Sequence, residues 1–442
     1  MSNQKKTSTK KSSTSKASSG GTGGSGGGGK KGSPLGGLLG AVVVVIAAII
    51  FLVTGVDLTG GALSNQQTPS VIVATATPRP ATTLPATNAP ATSVSNATSA
   101  PSGNVQTISN LTNGFGASKG WWQVYFVKPL PSTDTSLMVN GISVPLVAAI
   151  NQVRRTLDIA AFEFNEPTLE KAILDAHARG VQVRIVTDDE HGAEDLEGSI
   201  PKFIKAGIAV IDDGRSALMH NKIMIMDGLT VWTGATNFTR NGMYRNNNNL
   251  VAIRSRRAVE LYQAEFNEMF VDKLFGPRST KGNSGAFVQD GTEIEVWFAS
   301  EDDTITAINE KLKTARNSIH FMTFSFTQVD VGNLMLDLGK AGIKLEGVFE
   351  RTGSETKDSE MTLLFCAGFD VRQDTNPSTM HHKVIIIDEE TVITGSFNFS
   401  QNAMQSNDEN LLIIKDRDFA RQYMDEFNRV YGAGRKPTGL TC

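Results

Sequence analysis

Two histidines, two lysines and two asparagines recur at matching intervals in this chain of 442 residues. One stretch reads HNKIMIMDGLTVWTGATN, from His220 to Asn237, and another reads HHKVIIIDEETVITGSFN, from His381 to Asn398. Both fit H-x-K-x4-D-x6-G-x-x-N, through His220, Lys222, Asp227, Gly234 and Asn237, and through His381, Lys383, Asp388, Gly395 and Asn398. A lone H-x-K-x4-D is a weak signal, whereas two copies each followed by Gly and Asn at fixed distances are specific. Neutral and protonated imidazole coexist near neutral pH. One histidine can therefore attack phosphorus while the other protonates a leaving oxygen. Lysines and asparagines supply donors to non-bridging oxygens and to the charge that develops on them. The set suits a phosphodiester, and with lysines supplying positive charge the chemistry calls for no metal and no cofactor.

The elements that position these groups follow from patterning. IMIM and VIII read as short buried strands, on which alternate side chains share a face. His220 and Lys222 point one way together. Asp227, an odd seven residues beyond His220, points the other way, so Asp227 and Asp388 are expected to support the site and not to touch substrate. Asn237 and Asn398 follow a second strand and a Gly turn, where an amide can return toward the His and Lys.

The motif sits inside a larger repeat. Arg154, Phe162, Phe164 and Gly180 match Arg316, Phe324, Phe326 and Gly342 at an offset of 162, and from Ala206 onward the offset is 161. Each half alternates strands and helices. The first has strands at Gln123–Val127, Leu157–Phe164 and Val181–Thr187, with helical spacing at Val144–Arg155 and Thr168–Arg179. The second repeats them at Glu293–Phe298, Ile319–Phe326 and Ile343–Phe349, with helices near Thr304–Arg316 and Gly332–Lys340. The reading is α/β: two duplicated α/β/α sandwich domains, each with a mixed sheet, packed about a pseudo-two-fold axis. The boundaries expected are 121–280 and 281–436.

This doubled histidine–lysine–aspartate motif resembles the signature of the phospholipase D superfamily, over about residues 121–432. The resemblance implies a two-step reaction through a phosphohistidine, with His220 the nucleophile and His381 the general acid. It also implies a carboxylate, some way past each motif, that orients an imidazole. The second half offers Glu409, 28 residues beyond His381, whereas the same step from His220 lands on Asn248. An acid at Glu409 is placed to hold one ring's tautomer and to reach across the interface to His220. A second departure is Ala235 where the other copy has Ser396.

The chain outside the repeat reads differently. Residues 1–34 are nearly all Ser, Thr, Gly and Lys and are expected to form a disordered basic cytoplasmic tail. Residues 35–56 run 22 positions without a charge, long enough for a ~30 Å hydrocarbon core. Lysines precede the run, which places the N-terminus in the cytoplasm and the rest outside. It reads as an uncleaved single-pass anchor, being too long for a signal peptide. Residues 57–120, rich in Thr, Pro, Ala and Ser, read as a linker. Residues 121–442 hold 33 basic and 44 acidic side chains, a net of −11. That balance disfavours a broad nucleic-acid surface.

The expectation is a membrane-anchored phosphodiesterase whose favoured substrate is a phospholipid head group. The alternatives are an extracytoplasmic endonuclease on DNA or RNA, a phosphatidyltransferase, and a non-catalytic binding module. His382, beside His381 on a strand, should face away into packing, and His177 and His320 read as packing or surface residues. His191, in DDEHGAEDLEG, reads as part of a solvated acidic loop. Trp121 and Trp122 read as core. Cys366 and Cys442 exclude a cysteine-based zinc site and a disulfide scaffold.

Overall fold

The computed structural model describes residues 103–442. The tail at 1–34, the apolar run at 35–56 and most of the linker lie outside the described residues. Among the described residues no helix is long and apolar enough to cross a membrane.

The strands of the first half are β1 (Gln106–Ile108), β2 (Gly114–Lys119), β3 (Trp122–Val127), β4 (Thr156–Ala161), β5 (Gln182–Thr187), β6 (Ala209–Asp212), β7 (Lys222–Met226), β8 (Thr230–Gly234) and β9 (Asn249–Ile253). They form one sheet in the order β1-β2-β3-β9-β8-β7-β4-β5-β6. The second half contributes β10 (Gly285–Gln289), β11 (Thr292–Ala299), β12 (Ser318–Thr323), β13 (Lys344–Phe349), β14 (Asp370–Gln373), β15 (Lys383–Ile387), β16 (Thr391–Gly395) and β17 (Glu409–Lys415). Their order is β10-β11-β17-β16-β15-β12-β13-β14. Both sheets are mixed. β4–β5–β6 and β12–β13–β14 run parallel through crossover helices, and the motif strands return antiparallel beside β4 and β12.

Residues 106–119, expected in the linker, instead form β1 and β2. The sequence there is Gly-rich and lacks a clean apolar alternation, so the pairing rests on register. At Gly116 an added Cβ would stand 2.3 Å from the Val124 carbonyl oxygen, so only glycine lets β2 lie against β3.

Each sheet is covered on its outer face by its own crossover helices. In the first half these are Ser143–Gln152 and Pro167–Ala178, which bury Leu146, Ile150, Leu169 and Ile173 against Leu157, Ile159 and Ile185. The inner faces share one core. The helix Arg256–Asn267 packs on β4, β7 and β8 and also on β11 of the other half. Its counterpart Arg417–Ala433 packs on β12, β15 and β16 and also on β3. Ring pairs Trp122–Phe419, Phe126–Tyr423 and Tyr262–Phe298 cross between the halves.

Buried polar groups repeat the same symmetry. Asn249 donates to Thr394 Oγ1 at 3.1 Å and to the Tyr423 hydroxyl at 3.0 Å, and its Oδ1 meets His382 Nδ1 at 3.0 Å. Reciprocally, Asn410 accepts from Thr233 at 2.9 Å and from the Tyr262 hydroxyl at 3.5 Å, and donates to Asn221 Oδ1 at 2.8 Å. Each member lies 161 residues from its counterpart. Such a network specifies one register between the halves, because any slip would strand several buried polar groups.

Cys366, at the end of the helix Glu360–Cys366, is joined to Cys442 by a disulfide with Cα atoms 5.4 Å apart. Nothing in their spacing marks them as a pair. Trp121 and Trp122 are buried in the shared core.

Candidate active site

β7 and β15 each begin at the motif lysine, with the motif histidine two residues upstream. The segments entering them cross between the halves. Met219 bridges to Asp408 and the His220 amide donates to the Asp408 carbonyl at 3.0 Å. Asn247 bridges to Met380 and the His381 amide donates to the Asn247 carbonyl at 2.9 Å. Each histidine is thus laid beside the residue that precedes Glu409 or Asn248 of the opposite half.

Glu409 Oε2 lies 2.8 Å from His220 Nδ1, across the interface. The carboxylate also accepts from Ser396 Oγ at 2.7 Å and from Asn407 at 3.3 Å. The pseudo-symmetric place is poorer. Asn248 makes one weak contact, from Nδ2 to the Gly242 carbonyl at 3.4 Å, and its Oδ1 is buried without a partner. His381 Nδ1 is also buried without a partner. Ala235, standing where Ser396 does, has no hydroxyl to offer.

Both lysines are buried, and each reaches back to its own histidine. Lys222 Nζ donates to the His220 carbonyl at 2.6 Å and Lys383 Nζ to the His381 carbonyl at 3.0 Å. Phe162 lies under Lys222 at 4.9 Å and edge-on to His220 at 5.0 Å. Phe324 takes the same place at 4.7 Å from Lys383 and 5.0 Å from His381. The repeat marked both phenylalanines, but only the fold shows them as walls of the site. They exclude water while tolerating a cation on their faces.

The charges of the two halves act on one another. Burial, followed by the ammonium groups of Lys222 and Lys383, pushes both imidazoles well below their ordinary value. Burial draws both lysines down as well, and Glu409 of the second half opposes this at each. Burial raises Glu409 to about 8, against the pull of Lys222. Burial thus favours the neutral form of each of these groups, and an anion arriving between them favours the protonated lysines and imidazoles.

Asn398 is buried with its Oδ1 unpartnered. Asn237 is engaged: its Nδ2 donates to Glu163 Oε1 at 3.2 Å. Glu163 was not singled out by the sequence, where it is one residue of FEFN. Gly234 and Gly395 allow the turn before each asparagine, since an added Cβ would stand 2.5 Å from the Asn249 carbonyl oxygen and 2.3 Å from that of Asn410.

Asp227 and Asp388 lie away from the cavity. Both sit in left-handed turns after their strands, so strand alternation does not govern where they point. Asp227 accepts the backbone N–H groups of Arg154, Arg155 and Thr156, and Asp388 those of Arg316, Asn317 and Ser318. The acidic loop also differs from expectation. Asp188 is buried, accepting from the Met219 amide at 3.1 Å and from His191, whose ring lies 4.5 Å from Phe162. It braces the segment leading into His220, and its cost of burial is offset by these bonds. Asp188, Asp189 and Asp213 cluster there, with Arg215 paired to Asp213. His382 bridges Asn249 and Glu426, as packing between the halves.

A family model described as "Cardiolipin synthase, PLD-like domain" matches residues 146–270 and 308–431. A mitochondrial cardiolipin hydrolase of Xenopus tropicalis is 35% identical over 143 residues, which is 32% of this chain and 64% of that protein. A phospholipase D of Rickettsia prowazekii is 33% identical over 120 residues, 27% of this chain and 58% of that protein. The chain thus spans less than two thirds of the length of these curated relatives. The structure of a phosphatidylserine synthase from Haemophilus influenzae has a TM-score of 0.54 at 12% identity, covering 67% of this chain and 86% of that one, a likeness of fold.

Proposed function

Because this chain belongs to the phospholipase D superfamily, we propose that it is a membrane-anchored phosphodiesterase that hydrolyses a phospholipid head group through a phosphohistidine. The observation that carries the reading is the 2.8 Å contact between His220 Nδ1 and Glu409, made across the halves beside two buried lysines. A carboxylate at Nδ1 keeps the proton there and leaves Nε2 with its lone pair toward the cavity. His220 Nε2 attacks phosphorus, and the bond from phosphorus to the leaving oxygen breaks. His381 gives its proton to that oxygen. Neutral His381 then takes a proton from water as the water oxygen attacks phosphorus, and the bond to His220 breaks. Lys222, Lys383, Asn237 and Asn398 hold the non-bridging oxygens throughout. An alcohol in place of water would make the second step a transfer.

Three observations favour a lipid and an extracytoplasmic site. The uncharged run at 35–56 follows lysines. Residues 121–442 carry a net charge of −11. The Cys366–Cys442 disulfide suits an oxidising compartment.

The full-length protein in detergent, with chelator present, is to be offered phosphatidylcholine vesicles, cardiolipin vesicles and single-stranded DNA in parallel. Head-group release without DNA cleavage is the expected result. Cleavage of DNA alone would replace the lipase with a nuclease, and loss of turnover on adding chelator would overturn the lysine-based chemistry.

A further inference from the structure

Besides Glu409 against Asn248 and Ser396 against Ala235, the two halves differ beside the motif phenylalanines. After Phe162 comes Glu163, and after Phe324, at the equivalent place, comes Ser325. In the second half the Ser325 hydroxyl stands at that place, buried without a partner. In the first half the Glu163 carboxylate takes a hydrogen bond from Asn237 at 3.2 Å. It also lies within reach of the Lys222 charge, since each alters the other's titration. Asn237 and Lys222 are the donors that the proposed reaction needs for a phosphate oxygen. Glu163 is only partly buried, so its carboxylate keeps some access to solvent beside Asn237.

We propose, resting on the phosphodiesterase reading, that Glu163 is a specificity-determining residue that competes with bound anion for Asn237 and Lys222 and so tunes the cavity to one negative charge. Of the carboxylates that act on Lys222, Glu409 comes first and Glu163 next, ahead of Asp188. Glu163 thus offsets charge that a bound anion would otherwise meet, and a monoanionic diester is held by orientation more than by surplus charge. The product of hydrolysis is a monoester that gains a second charge near neutral pH. The same carboxylate would then expel it, so Glu163 acts on both substrate choice and product release. The groups that face Glu163 are Lys222, His191, Asp195 and Asp188. Burial raises its pKa above the ordinary carboxylate value, against Lys222 and His191, while Asp195 and Asp188 add to the rise. Competition therefore weakens as pH falls and the carboxyl takes up its proton.

The test is calorimetric binding to the full-length protein, wild type against Glu163→Gln and Glu163→Asp. The probes are diethyl phosphate, a monoanion throughout, and inorganic phosphate, mainly dianionic at about pH 8. Coulomb energy scales with ligand charge. Glu163→Gln is therefore expected to tighten diethyl phosphate about tenfold at about pH 8, and inorganic phosphate about tenfold further. Glu163→Asp should restore most of the discrimination. The ratio of variant to wild-type affinity for diethyl phosphate should shrink toward one as pH falls and the wild-type carboxyl protonates. Equal gains for both anions, or none, would overturn the proposal. Binding needs no turnover, so an inactive wild type would count against the phosphodiesterase reading alone.

Discussion

His220 and His381 occupy equivalent places, yet only one is backed by a carboxylate. Ser396 and Asn407 hold Glu409 against His220, while Asn248, lacking an ionisable group, leaves His381 Nδ1 without a partner. The proposed division of labour between nucleophile and acid rests on that asymmetry. Glu409→Gln keeps the shape and removes the charge, so turnover should fall on the order of 10²–10³-fold with a much smaller change in KM. Steady-state kinetics check this, and an equal loss in Asn248→Ala would show that the two supports are interchangeable. Asp227 is a different kind of residue. Burial opposes its ionisation, but the backbone amides of Arg154, Thr156 and Arg155 bring its pKa below the ordinary value. A depressed folded-state pKa contributes stability above the unfolded value, and that stability is lost as pH falls through the folded one. Asp227→Ala should cost about 2–3 kcal/mol in urea unfolding at neutral pH, from lost bonds and an alanine at positive φ. The deficit relative to wild type should narrow in acid.

At the scale of elements, two strands and the turns that follow them carry the site. Gly395 sits at φ 140°, with the Asn410 carbonyl oxygen where a Cβ would go. Gly395→Ala should therefore destabilise by about 3 kcal/mol or more and lower activity by displacing Asn398, which thermal unfolding and kinetics on the same preparation would separate. These elements were legible in the chain because histidine, lysine, glycine and asparagine fall at fixed intervals twice. Glu409 was legible through the same repeat, as the one acid at the equivalent step. Glu163 was not. Nothing in FEFN says that this side chain reaches Asn237, 74 residues later, until the register of β4 against β7 is known. The β1–β2 pair was hidden for a related reason, since glycines that permit close strand contact look like linker when read along the chain.

Across the described residues the two halves share one core, and the proposed site is one unit built from both. The network around Asn249 and Asn410 and the core beneath it hold the histidine of one half against the carboxylate of the other. Two halves that cannot meet would each lack a complete site. The disulfide acts at the edge of this unit, closing a span of 76 residues between Cys366 and Cys442. Its reduction should lower unfolding free energy by about 2–4 kcal/mol while leaving turnover of the still-folded protein close to that of the oxidised form. Denaturation with and without reductant would measure it. Sequence separation gave no clue to that pair, because distance along the chain does not report distance in the fold.

The account stands on His220 as the atom donor to phosphorus and His381 as the proton donor. The direct measurement is peptide mapping by mass spectrometry of the His381→Ala variant after exposure to a phosphodiester with an activated leaving group, which needs no acid to depart. The phosphoryl adduct is expected on the peptide containing His220, and none should form in His220→Ala. An adduct on His381 in the His220→Ala protein, with none on His220 in the His381→Ala protein, would contradict the account.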